Sequence, residues 1–220
     1  MKIPDTAEQV KISALALLKM LKHCKAGIPF EVMGIMLGEV VDDYTVECVD
    51  VFSMPTLATT VSVEAIDPEY QQRMVEMLNQ VGRREVCVGW YHSHPGFGCW
   101  LSMVDVKTQK SFEQLSDRAV AVVIDPVRSV KGRVEMDVFR SVHPSIMATG
   151  QEPRITTSNI YHLKPKPDRM ARIRGLGKLY YNMVIHAKTT DEYECNMLTR
   201  YQECTSNWTQ TLKIEERFDN

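Results

Sequence analysis

Apolar positions along the chain fall into short β-like runs that alternate with stretches of helical spacing. Residues 9–12 read as a short strand. Ser13 then caps a helix in which Leu15, Leu18 and Leu21 fall on or near one face. Gly27 and Pro29 stop it. Residues 30–38 form an apolar run of strand length, with one carboxylate, Glu31, near its start. Residues 44–54 are a second β-rich run, and Asp42-Asp43 between the two predicts a hairpin turn. A polar loop spans residues 56–60. Asp67-Pro68-Glu69 opens a helix, with a cap, a proline in the first turn and an acidic residue near the positive end of the dipole. Tyr70, Met74, Met77, Leu78 and Val81 form its apolar face, and core packing is the commoner use of such methionines.

Residues 86–91 show little alternation, which predicts a strand buried on both faces. After a Pro-Gly turn, a helix beginning at Ser102 sets Val104, Thr108, Phe112 and Leu115 on one side. Residues 119–124 are six apolar positions in succession, the best central strand of the chain, and Asp125-Pro126 ends it. Val134, Met136 and Val138 alternate with Glu135 and Asp137, as in a strand with one wet face. This interleaving is an α/β pattern up to about Arg140. From Ser141 the texture changes, and Pro144, Gly150, Pro153, Pro165 and Pro167 punctuate a long segment of little periodicity. A loop of that length is usually functional or becomes ordered against a partner. Further on, Met197, Tyr201, Cys204, Trp208 and Leu212 recur every three or four residues, an apolar helical seam.

Composition narrows the functional classes. With 44% hydrophobic and 25% charged residues the chain can bury a real core in a soluble globular protein. A formal charge of −2 without basic blocks gives no electrostatic case for nucleic acid or an anionic membrane. No stretch is apolar and long enough to span a bilayer. The first residues lack the apolar segment of a signal peptide, and the six cysteines are scattered without a Cys-x-x-Cys pair. Reduced thiols in the cytosol or nucleus are the expectation.

The chemistry concentrates in residues 90–105. His92 and His94 stand one residue apart, so on an extended backbone both imidazoles point to one side. Pro95-Gly96 and Gly98 turn the chain, and Ser102 with Asp105 then opens a helix. That brings a carboxylate within reach of both histidines. Two imidazoles and a carboxylate suit zinc, and three protein ligands leave a fourth position open, as in catalytic sites. Ser102-x-x-Asp105 is also a capping box, and a capping carboxylate is less free to bind metal. A zinc deaminase is excluded, because no Pro-Cys-x-x-Cys follows. Cys99 lies inside the stretch, but Gly98 and Trp100 offer no base, so it reads as structural.

With an upstream glutamate, His-x-His-Pro and Ser-x-x-Asp, the stretch resembles the JAMM motif of the MPN-domain metalloproteases. Glu31-Val32-Met33-Gly34, Gly89-Trp90-Tyr91 and Gly98-Cys99-Trp100-Leu101-Ser102 are similar to the branch found in the lid of the 26S proteasome. Val61-Ser62-Val63-Glu64-Ala65, Glu152-Pro153-Arg154 and Gly175-Leu176 favour that branch over the signalosome branch, which removes a ubiquitin-like modifier. The resemblance implies an α/β MPN fold, a curved, mixed and mainly antiparallel sheet flanked by helices. It implies a catalytic domain over 1–140, an insertion loop or linker over 141–168 and a C-terminal helical extension over 169–220 for lid assembly. By the same resemblance His92, His94 and Asp105 hold Zn2+, Glu31 is the general acid/base and Ser102 donates to the oxyanion. Without the motif, Glu31 would read as a surface residue at a strand edge. Gly96, Phe97, Gly98 and Trp100 would flank a narrow groove that takes the Gly-Gly tail of ubiquitin. The implied activity is a deubiquitinase acting in cytoplasm and nucleus, paired with an inactive MPN partner subunit and other lid subunits. The alternatives are a signalosome-type deconjugase and an MPN scaffold without catalysis.

Overall fold

Most strands of the fold draw on β-branched or aromatic residues, whereas residues 33–40 hold only Ile35 and Val40 of that kind. The computed structural model describes residues 6–55, 68–80, 82–83, 85–130, 132–149 and 172–188. The elements are β1 (Gln9–Ser13), α1 (Ala14–Gly27), β2 (Met33–Val40), β3 (Thr45–Ser53), α2 (Pro68–Gln80) and β4 (Val86–Ser93). They continue with α3 (Met103–Leu115), β5 (Val120–Ile124), β6 (Met136–Ser141), α4 (Pro144–Thr149) and β7 (Tyr180–Lys188). The strands pair in the order β1-β3-β2-β4-β5-β6-β7, and β7 pairs back onto β1. β1 runs parallel to β3 and β7, β4 runs parallel to β5, and the remaining pairs are antiparallel. The mixed sheet with flanking helices agrees with the expected α/β class.

Alternate side chains feed two apolar clusters, one on each face of the sheet. On β5, Val122 and Ile124 join the cluster that α1 covers, and Ala121 and Val123 join the other. All five residues of β5 are buried, which explains its unbroken apolar run. The second cluster holds Trp90, Leu101, Phe112, Phe139 and Tyr180, and Tyr70, Met74 and Leu78 of α2 pack against it. Met77, expected on that apolar face, is exposed, and Val81 lies outside the described residues.

Two helix faces differ from expectation. α1 is capped by Ser13, whose Oγ accepts from the Ala16 N–H at 3.0 Å. Its buried face carries Leu17, Met20, Leu21 and Cys24, whereas Leu15 is exposed and Leu18 only half-buried. In α3 the buried positions are Asp105, Val106, Thr108, Gln109 and Phe112, and Val104 and Leu115 face outward. In α1 each step of three rotates about 60° against a 3.6-residue turn, so the run Leu15-Leu18-Leu21 leaves the face it started on.

The domain division also changes. Residues 180–188, expected in a helical extension, form β7 between β6 and β1. The sheet therefore does not end near Arg140. Tyr180-Tyr181-Asn182-Met183-Val184-Ile185 is an aromatic and β-branched segment, and its neighbours complete the ladder. The start of the expected long loop contains α4, whose Ile146 is buried in the first cluster. The polar loop at 56–60, most of the segment from 150 onward and the seam from Met197 to Leu212 lie outside the described residues. Among the described residues no helix is long and apolar enough to cross a membrane.

Candidate metal centre

β4 delivers the two histidines. Antiparallel pairing with β2 sets Met33 opposite His92, and parallel pairing with β5 sets His92 beside Val123. His92 is the penultimate residue of β4, and His94 is the first residue beyond it. The His94 N–H donates to the Ile124 carbonyl at 2.9 Å. The next segment turns through Gly96 and Gly98, at φ +81° and +80°, a region that favours glycine. Any Cβ at Gly98 would also stand 3.0 Å from the Arg128 guanidinium. The turn returns the chain so that α3 begins beside the histidines.

The donors converge. His92 Nε2 lies 3.1 Å from His94 Nε2, and Asp105 Oδ2 lies 3.5 Å from each. Zinc–nitrogen bonds of about 2.0–2.1 Å would set tetrahedral ligand atoms about 3.3–3.4 Å apart. The triangle is therefore the right size for one zinc ion. Among the described residues these three side chains, all buried, are the one grouping of His, Cys, Asp or Glu that could hold a metal. The same Oδ2 that closes the triangle also accepts the Ser102 N–H at 2.7 Å. Ser102 Oγ in turn accepts the Asp105 N–H at 3.2 Å, which completes the capping box. A cap uses a lone pair of the hydroxyl and leaves its proton for donation.

The rings are held by different means. His92 stacks on Trp90 at 4.6 Å and 13°, and its Nδ1 has no hydrogen-bond partner among the described residues. His94 Nδ1 faces the Gly98 carbonyl at 3.1 Å, so Nδ1 carries the proton and Nε2 presents its lone pair to the triangle. Trp100 packs edge-on against His94 at 5.3 Å, its Nε1–H donates to the Phe97 carbonyl at 3.0 Å, and Arg174 lies 4.5 Å above its ring. Burial works to lower the His94 pKa, but the hydrogen bond and charge of Asp105, with the charge of Glu31, leave it raised. Burial alone would raise the Asp105 carboxyl, but the charge of His92 and hydrogen bonds from His92, His94 and Ser102 hold it well below the usual carboxylate range.

Glu31 sits two residues before β2, where Val32 and Ser93 tie the two strand ends together. Its Oε1 lies 3.9 Å from His94 Nε2, and a third of its side chain is exposed. Of the four positions expected to flank an entry, Phe97 is exposed, whereas Gly98 and Trp100 are buried and Gly96 is exposed at the turn. Trp100 forms a wall behind His94 and not an open rim. Cys99 is buried, and its thiol is pushed up to about 12 by burial and by the charges of Asp137 and Glu135.

The residue that sequence reading missed is Asp125. It reads there only as the end of a strand, but its buried carboxylate accepts the N–H groups of Gly96 and Gly98 in the turn. No local signal marks it, since the partners lie 29 and 27 residues upstream.

A family model described as JAB1/Mov34/MPN/PAD-1 ubiquitin protease matches residues 5–118. The chain belongs to the JAB1/Mov34/MPN/PAD-1 family. It is 57% identical over 214 residues to 26S proteasome non-ATPase regulatory subunit 14 of Drosophila melanogaster, covering 97% of this chain and 68% of that one. It is 58% identical over 211 residues to the Caenorhabditis elegans protein of the same name, covering 96% and 66%. It is 56% identical over 211 residues to 26S proteasome regulatory subunit rpn11 of Schizosaccharomyces pombe, covering 96% and 67%. The chain thus spans about two thirds of the length of these MPN relatives. A solution structure of a Desulfitobacterium hafniense protein shares the fold at 16% identity and a TM-score of 0.51, covering 84% of this chain and 97% of that one.

Proposed function

We propose that this chain is a zinc-dependent deubiquitinase of the proteasome lid. It would hydrolyse the isopeptide bond after the Gly-Gly tail of ubiquitin and remove chains from substrates at the 26S proteasome. The observation that carries this reading is the triangle of His92 Nε2, His94 Nε2 and Asp105 Oδ2, with edges of 3.1, 3.5 and 3.5 Å and a carboxylate beside it. A scaffold has no need of a buried donor set sized for a metal. The family and the names of the relatives support the substrate and the assembly.

Bound zinc would supply a Lewis acid and lower the pKa of water toward about 7. The chain's own groups do the rest. Glu31 stands at the partly exposed side of the triangle, takes a proton from the attacking water and passes it to the leaving amine. Ser102, with its lone pair engaged by the Asp105 N–H, donates a hydrogen bond from its O–H to the developing oxyanion. Phe97 and the Gly96–Gly98 turn border the approach, where an extended Gly-Gly tail needs close backbone contact. The partners are ubiquitin, an inactive MPN subunit and further lid subunits, in cytoplasm and nucleus.

Metal content and inhibitor response test the reading. Purified chain should carry about one zinc, and a strong chelator should abolish cleavage of ubiquitin chains. An alkylating agent should leave cleavage intact, because burial pushes the Cys99 and Cys48 thiols to about 12. Activity that survived chelation and fell on alkylation would reverse the assignment.

A further inference from the structure

The Asp125 side chain is fully buried, and burying a carboxylate is costly unless its oxygens are fully hydrogen-bonded. Oδ1 accepts the N–H groups of Gly96, Val127 and Arg128, each at 3.0 Å. Oδ2 accepts the Gly98 N–H at 2.9 Å and faces Arg128 Nε at 3.3 Å. One carboxylate thus fastens the turn after β4 to the segment after β5. Arg128 closes the same clamp from outside, donating from Nη2 to the Gly96 carbonyl at 3.2 Å. Ser129 secures the far side, donating to the Asp125 carbonyl at 2.6 Å and accepting the Glu135 N–H at 3.0 Å.

This clamp matters most to one metal-site residue. His92 lies within β4 and stacks on Trp90, and Asp105 is tied to the Ser102 N–H. His94 lies just past the strand, and its ring is aimed by the Gly98 carbonyl, an acceptor carried on the clamped turn. We propose that Asp125 is a positioning residue of the metal centre, holding the 95–98 turn so that Gly98 orients the His94 imidazole toward the triangle. The inference rests on the metal-site reading above. An asparagine fits the space but offers one acceptor oxygen in place of two. Its amide N–H2 would then oppose either the Gly96, Val127 and Arg128 donors or the Gly98 and Arg128 donors.

The test compares zinc affinity, by competition with a chelator, in the full chain and in Asp125→Asn, Arg128→Ala and Asp50→Asn. Asp50 is a buried carboxylate that pairs with Leu37, four residues along β2 from the Met33 that faces His92, and it is bonded to Lys19 and Arg83. It controls for lost stability. Loss of an outer partner of a metal ligand typically costs about 10–100-fold in affinity. Asp125→Asn should fall within that range, and Arg128→Ala should fall several-fold in the same direction. Asp50→Asn should lower the melting temperature and leave zinc affinity unchanged.

Wild-type affinity in Asp125→Asn, or an equal loss in Asp50→Asn, overturns the inference. Should Asp125→Asn fail to fold, Arg128→Ala decides, because its side chain is 56% exposed and the core does not need it. Wild-type affinity there overturns the inference as well. The zinc readout involves no substrate, so a wild-type chain that binds zinc without cleaving ubiquitin chains counts against the proposed activity alone.

Discussion

Glu31 Oε1 stands 3.9 Å from His94 Nε2, close to the triangle but outside it. A fourth zinc ligand would lie about 3.3–3.4 Å from the other three, and the role proposed for Glu31 is that of a proton carrier beside the triangle. Glu31→Gln keeps the shape and removes the base. It should fold and hold zinc as wild type does, and turnover should fall by about 10²–10⁴-fold. His92→Ala should lose both zinc and activity, since it deletes one corner of the triangle. Zinc content measured beside cleavage rate separates the two, and an empty site in Glu31→Gln would refute the assignment. At this scale the sequence was most legible where the chemistry is local. His92, His94, Ser102 and Asp105 fall within fourteen residues, and strand alternation, the Gly96–Gly98 turn and the helix start bring them together. Asp125 stayed hidden because its role depends on the parallel pairing of β4 with β5, which no local pattern encodes.

Helix existence was easier to read than helix facing. The cap at Ser13, the stop near Gly27 and the capping box at Ser102 each stand where the residues predicted them. The apolar stripes did so only in part, since Tyr70, Met74 and Leu78 of α2 pack against the second cluster as expected and the α1 stripe is turned. In α1, both Leu15-Leu18-Leu21 and Leu17-Leu21-Cys24 are periodic in sequence, and only the second stays within about 40° of its starting direction and returns to within about 20° after seven residues. Burial follows the second. The difference is measurable. Leu17→Ala removes a side chain from the cluster beneath the helix and should cost about 2–5 kcal/mol of unfolding free energy. Leu15→Ala, at a position 44% exposed, should stay within about 0.5 kcal/mol of wild type. Chemical denaturation of the two variants checks this, and a larger loss at Leu15 would reverse the facing.

Over the whole molecule, the last described strand links fold and site. β7 fills the gap between β6 and β1, and without it both would present open hydrogen-bonding edges. Its first residue reaches the metal centre, because Tyr180 Oη accepts the Leu101 N–H at 3.2 Å, one residue before the Ser102 cap. Tyr180 also packs edge-on against Phe139 in the second cluster. Reading 1–140 as a self-sufficient domain therefore omitted a structural strand, and periodicity could not reveal it. A strand identifies its partners through ladder hydrogen bonds with residues far away in sequence. Two truncations distinguish a sheet requirement from an assembly requirement. A chain ending at Lys188 retains every described strand, so it should unfold cooperatively and bind zinc as the full chain does. If the apolar seam from Met197 to Leu212 is used in lid assembly, this truncated chain should fail to join the other lid subunits. A chain ending at Arg140 lacks β7 and the Tyr180 contact, and it should show neither a cooperative transition nor stoichiometric zinc. Calorimetry, zinc content and co-purification with lid subunits read the three properties separately. A folded, zinc-loaded chain ending at Arg140 would show that β7 is dispensable to the sheet, and normal lid incorporation of the chain ending at Lys188 would remove the seam from assembly.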